Sequence, residues 1–146
     1  MGIKLNHFLT MTVAAILVSA GYFVFAYDRD PDDAGANSAP GPLVKITLPN
    51  TLSTDAKSGW QLFEAECAVC HGTDAVGKEG IAPPLVHRIY EPSHHADESF
   101  QQAVALGVRA HHWTFGNMPP VAGLSRADVA LIVAYVRELQ RANGIN

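Results

Sequence analysis

The chain divides into a long uncharged apolar run, a stretch that buries nothing, and a body with helical periodicity. Residues 8–27, FLTMTVAAILVSAGYFVFAY, hold 20 positions without a formal charge. At ~1.5 Å per residue such a helix spans the ~30 Å hydrocarbon core of a bilayer. It is apolar all round, which fits lipid better than a one-faced core helix. The following stretch, DRDPDDAGANSAPGP, is acidic, rich in Pro, Gly and Ala, and nearly free of large apolar side chains, so it predicts a flexible tether. After it, LVKITLP alternates weakly and predicts either a short strand or an extended arm lying on the domain.

From Ser53 the apolar positions recur at helical spacing. Ser53 or Thr54 can cap a first helix, with Trp60, Phe63 and Cys67 expected on one face. Gly77, Gly80, Pro83 and Pro84 then predict a loop. Another helix is expected from near Asp97, with Phe100, Val104 and Val108 facing inward and Gly107 near its end, followed by the loop RAHHWTFGNMPPVAG. The last helix is the clearest. Ser125 and Asp128 have capping-box spacing, and Val129, Ile132, Val133, Val136 and Leu139 form an apolar stripe. Arg137 and Arg141 sit towards its negative end, and Asn143-Gly144 terminates it. The pattern thus predicts an anchor over 1–27, a linker over 28–52 and one helical domain over 53–146.

Charge adds orientation. Lys4 precedes the apolar run, while Asp28, Asp30, Asp32 and Asp33 surround a lone Arg29 just after it. By the positive-inside rule the N-terminus stays in the cytoplasm and the body is exported. The expected location is therefore the cell inner membrane, single-pass, with the body on the periplasmic side and the bilayer contacted through residues 8–27. The alternative is a cleaved signal peptide, since Val18–Ala20 (VSA) and Val24–Ala26 (VFA) resemble small-residue cleavage sites. A net charge of -4 without any Lys/Arg cluster excludes a generally basic nucleic-acid binder.

Both cysteines of the chain lie in ECAVCHG, residues 66–72. A thioredoxin-like C-x-x-C needs a βαβ setting, and a tetrahedral zinc site needs four ligands, usually with a second pair at finger-like spacing. Covalent haem attachment uses every residue: two thiols for the vinyl groups and the adjacent histidine, His71, for the iron. A structural disulfide would close only a tiny loop and stabilise little. If His71 binds iron, electron transfer is best served by a second protein ligand. Met1 is the initiator and Met11 lies in the apolar run, so Met118, stiffened by Pro119-Pro120, is the candidate.

Over roughly Thr54 to Gly144 the sequence resembles a class I monohaem cytochrome c. The resemblance rests on Cys67-x-x-Cys70-His71, on Pro83-Pro84-Leu85 as a Pro-x-Leu, on Met118 before proline, and on a C-terminal helix bearing Tyr135. It implies an all-α fold: a small cytochrome c domain of about three to five helices around one haem, behind the transmembrane helix and linker. It further implies one covalent haem c on Cys67 and Cys70, with His71 and Met118 as axial ligands. The Pro83 carbonyl would orient the His71 ring, and Leu85 would pack on the haem. Gly59 and Phe63 resemble the residues through which the first helix crosses the last at Tyr135.

His87, His94, His95, His111 and His112 are a departure from that pattern. Solvated loop positions are the plain expectation. One of them could displace Met118 as distal ligand, or His94-His95 and His111-His112 could join to bind copper or zinc. The helix between the pairs would hold its ends ~15 Å apart, too far for one site unless the flanking loops fold back.

The expected function is a one-electron carrier between redox partners, a donor and an acceptor, at the membrane. No bond of a substrate is broken, so the chain is not expected to be an enzyme by itself. Three alternatives are a haem subunit of a dehydrogenase or terminal oxidase complex, a cytochrome with an added copper-handling role, and a peroxidase or gas sensor with an open iron position.

Overall fold

Ser53 starts the domain's first helix, its hydroxyl accepting from the Ala56 amide at 3.2 Å. The computed structural model describes residues 41–146, so the expected anchor and most of the linker lie outside the described residues. Among the described residues there are four α-helices: α1 (Thr54–Glu66), the single turn α2 (Ala68–His71), α3 (Asp97–Leu106) and α4 (Arg126–Ala142). Short 3-10 turns occupy Thr73–Ala75 and Arg88–Tyr90. No strand forms among the described residues. The only β pairing there is two isolated bridges, Lys78 with Ala82 and Val108 with Met118.

The core is the crossing of α1 and α4. Ala56, Gly59 and Phe63 are the buried positions of α1, and Val129, Ile132, Val133, Tyr135, Val136 and Leu139 are among those of α4. Phe63 meets Tyr135 with ring centroids 5.7 Å apart, a tilted aromatic pair. Gly59 permits that approach, because a Cβ there would stand 1.9 Å from the Leu131 carbonyl oxygen. Each fully buried large side chain in this seam contributes about 1.5–3 kcal/mol.

Trp60 departs from expectation, being 43% exposed while Phe63 is fully buried. Glycine is the reason. By letting α4 close on position 59, it pulls the seam to one side of α1, and Trp60 at about 100° further round is left at the rim.

Helix α4 begins with the expected capping box. The Ser125 hydroxyl accepts from the Asp128 amide, and the Asp128 carboxylate accepts from the Ser125 amide at 2.9 Å. Arg137, expected near the helix's negative end, is buried at 7% exposure instead. Position 137 shares a face with Val133 and Gln140, and backbone carbonyls of the preceding loops need donors there.

The stretch before α1 is an extended arm laid on the domain. The Leu43 and Val44 amides donate to the Val76 carbonyl, Thr47 exchanges hydrogen bonds with the Asn143 side chain, and the Ser53 amide donates to Glu138. Asn143 thus ends α4 and clamps the arm as well. Across the domain, α3 packs on α4, joined at its start by Arg126 to Glu98 at 2.7 Å and by the Gln101 side-chain Nε2, which donates to the Arg126 carbonyl.

Candidate functional site

At Cys67 the α1 ladder ends, with the Cys67 amide still donating to the Phe63 carbonyl at 2.8 Å. The next turn restarts from Cys67, whose carbonyl accepts from the Cys70 and His71 amides. Positions i, i+3 and i+4 share one side of a helical turn, so Cys67, Cys70 and His71 are brought together. The two cysteines form no disulfide; Cys70 is exposed, and burial pushes the Cys67 thiol up to about 11.

His71 is oriented from behind. Its Nδ1 lies 2.9 Å from the Pro83 carbonyl oxygen, so Nδ1 carries the proton and Nε2 keeps its lone pair. Burial lowers the pKa of the ring, with the Pro83 bond opposing in part, which favours the neutral imidazole. Proline at 83 offers a carbonyl with no competing amide of its own, and Pro84 beside it is fully buried.

A cavity of about 550 Å³ opens in front of this turn, and its walls include Cys67, Cys70, His71, Pro83, Leu85 and Met118. All six residues singled out from the sequence therefore meet around one space. Its remaining surface is chiefly apolar, with Phe63, Val129 and Ile132 coming from the helix seam.

Met118 is held by backbone pairing. Its amide donates to the Val108 carbonyl at 3.0 Å and its carbonyl accepts from the Val108 amide at 2.9 Å. Gly107, at φ +76°, makes the approach possible, since a Cβ there would meet the Met118 carbonyl oxygen at 2.6 Å. Inside the loop so closed, the Ala110 amide donates to the Asn117 side chain at 2.9 Å. Val104 and Val108, expected to face inward, line the cavity as well.

Trp113 and Phe115 stack at 5.6 Å on the wall of the same cavity. The indole N–H of Trp113 is buried and makes no hydrogen bond of ordinary length among the described residues, although it lies near enough to the Tyr90 hydroxyl to favour its ionised form weakly. A buried donor without a good acceptor is costly, so this N–H on the cavity wall can take an acceptor from a ligand. A cofactor with a flat apolar body and peripheral carboxylates suits this cavity, and ~300–1,000 Å³ is the usual range for such sites.

Beneath the site, Asp74 and Ala75 take left-handed backbone at φ 55° and 59°. That conformation costs about 1–2 kcal/mol per residue. It is held by the Tyr135 hydroxyl donating to Asp74 at 2.8 Å and by the Asp74 amide donating to Glu64 at 3.1 Å. It also aims the Ala75 carbonyl at the Leu85 amide, fixing Leu85 on the cavity wall. No sequence signal announced Asp74; only the spacing of Tyr135 opposite Phe63 pointed to this corner.

The surplus histidines are not spread apart. His94, His95, His111 and His112 gather in one cluster, with ring centroids of neighbouring pairs between 4.2 and 6.2 Å. The ~15 Å separation expected from the length of α3 is overcome because the flanking loops fold back over it. His87 stays apart from them. Its Nδ1 accepts from the Ile89 amide, and its ring edge packs on Trp113 at 5.3 Å.

A search of curated proteins finds no match for this chain. A family model described as Cytochrome c matches residues 56–140, which is more than half of the chain and runs from the α1 seam through the cavity to α4. The chain belongs to the cytochrome c family, the haem-bearing electron-transfer proteins.

Proposed function

We propose that the chain is a class I, single-haem, one-electron carrier with His71 and Met118 as the iron's axial ligands and Cys67 and Cys70 as its covalent tethers. The observation that carries this reading is the 2.9 Å contact between His71 Nδ1 and the Pro83 carbonyl. It leaves the Nε2 lone pair for a metal in a cavity that both thiols and Met118 also line. The two cysteines of the sequence suffice for one haem.

When bound, the haem supplies a one-electron couple at its iron. The chain's own residues bind, orient and shield. Pro83 fixes the His71 tautomer, the Val108–Met118 pairing holds the thioether, and Phe63, Val129 and Ile132 exclude water. The buried Trp113 N–H on the cavity wall is suited to a propionate. A neutral, soft thioether favours the reduced iron over a more basic imidazole, so the potential is expected to be raised.

Ile81 and Leu106 line the cavity yet are 43% and 76% exposed. They give the rim an apolar patch on which redox partners dock through a small, transient interface. The anchor over 8–27 would keep this domain at the periplasmic face of the inner membrane, with the acidic linker letting it swing between donor and acceptor.

The test is chemical. Acid-acetone extraction should leave the pigment on the polypeptide, and the mature mass should include one macrocycle. The double variant Cys67→Ala, Cys70→Ala should release its pigment. Pigment extracted from the parent would overturn the assignment.

A further inference from the structure

We propose that His94, His95 and His112, with His111 beside them, form a binding site for one late first-row divalent cation, Cu²⁺ or Zn²⁺, at the rim of the cavity. One ring nitrogen from each of the first three lies within 4.8 Å of the others. His94 Nε2 and His112 Nε2 are 3.4 Å apart. Two nitrogens bound to one tetrahedral ion at 2.0–2.1 Å stand about 3.4 Å from each other, so this pair already has the spacing of two ligands.

The tautomers are prepared for it. His95 Nδ1 lies 2.6 Å from the Ile89 carbonyl, and His111 Nδ1 lies 2.8 Å from the Arg109 carbonyl. Each ring therefore donates from Nδ1 and keeps the Nε2 lone pair. A backbone carbonyl behind the ring is the usual support of a metal-bound imidazole, fixing both tautomer and direction.

The backbone beneath is rigid. The His94 and His95 amides both donate to the Glu91 carbonyl, and the buried Arg137 donates to the His95 carbonyl at 2.6 Å. On the other side, His111 and His112 sit inside the loop closed by the Val108–Met118 pairing and the Ala110–Asn117 bond. Apolar burial does not explain the gathering, since His94, His111 and His112 are exposed. With imidazoles and no carboxylate in the set, the donors suit copper, zinc or nickel rather than calcium or magnesium, and copper binds such donors most tightly.

The full chain, purified in mild detergent with its haem in place, is titrated with Cu²⁺ and Zn²⁺. One ion per chain is expected, with copper the tighter and nitrogen splittings in its paramagnetic resonance spectrum. The double variant His94→Ala, His112→Ala should bind more than about 100-fold more weakly, beyond the 10–100-fold effect of losing an outer partner. His87→Gln should bind like the parent. The site is overturned if the parent takes up no ion at micromolar concentration, or if the double variant binds as tightly as the parent. The visible spectrum of each variant reports separately on the haem domain. Should the double variant lose that spectrum, the parent decides: Zn²⁺ should slow diethyl pyrocarbonate modification of His94, His95 and His112 but not of His87, and equal modification would overturn the site.

Discussion

The guanidinium of Arg137, on α4, donates to the backbone carbonyl of His95 at 2.6 Å across 42 residues of sequence. The same side chain donates to the Tyr90 carbonyl, the Gln140 side chain and Asp97, and its flat face covers the Phe100 ring at 5.0 Å. One planar fork thus ties the loop between Leu85 and α3 to the last helix. Arg137→Ala would leave the His95 carbonyl and the buried Gln140 side-chain oxygen without their donors, at about 1–3 kcal/mol each, while the Tyr90 carbonyl keeps the Gln140 side chain. Total loss of about 3 kcal/mol or more is expected, read as a lower urea midpoint. Arg137→Lys should rescue little, because an ammonium is a point donor without the fork. Asp97→Asn, at a 71% exposed partner, should cost less than about 1 kcal/mol.

Gly59 faces the α4 backbone with no room for a methyl group. With the Leu131 carbonyl oxygen 1.9 Å from the added carbon, Gly59→Ala must drive the two helices apart along the Phe63–Tyr135 seam. Overpacking ordinarily costs about 1–3 kcal/mol when side chains can yield, and here a backbone carbonyl has to. The variant is expected to unfold at or beyond the top of that range, measured by thermal melting. Trp60→Ala, one residue on, should change stability far less.

Those two residues also show what the sequence could and could not disclose. The stripe of α4, the Ser125 cap and the cysteine–histidine turn are local patterns, in which each residue's neighbours in sequence are its neighbours in space. Met118 stands out as a candidate by elimination together with its prolines, and Pro83 through a family resemblance, and both line the cavity. Arg137 was not legible, because its role depends on where loops 40 or more residues upstream bring their carbonyls. Trp60 misled for a similar reason: periodicity gives the face of a helix, but a glycine decides which edge of that face its partner settles on. The histidine cluster is hidden for the same reason: the length of the helix between its halves is read from sequence, whereas the loops on either side determine the distance.

Tyr135 carries a pH signature. Burial, and then its hydrogen bond to Asp74, push its phenol well above the ordinary value of about 10. The unfolded chain therefore releases this proton first as pH rises, while the native chain still holds it. The resulting stability is fully present below pH ~10 and declines as pH climbs above that value towards the folded-state pKa. Tyr135→Phe should lose about 1.5–3 kcal/mol near neutrality, as befits a hydrogen bond to a carboxylate. Between neutral and alkaline buffers the gap in urea midpoint between parent and variant should narrow. A gap that stays constant or widens would contradict this account.

Met118 separates the distal ligand from the pocket that carries it. Met118→Leu keeps an apolar side chain of similar size, so the core cost should stay under about 1.5 kcal/mol, but it removes the sulfur. If Met118 ligates the iron as proposed, the oxidised variant should lack the parent's far-red methionine-to-iron absorbance, its potential should fall, and small external ligands should gain access. Asn117→Ala tests the loop alone. It removes the acceptor that holds the Ala110 amide at 2.9 Å and leaves the thioether in place. The absorbance band should persist in this variant, while methionine is displaced by added imidazole at a lower concentration than in the parent. If the parent lacks the band and Met118→Leu keeps the parent's spectrum and potential, the distal ligand is another side chain, and the histidines on the cavity wall, His95, His111 and His112, become the ones to replace next.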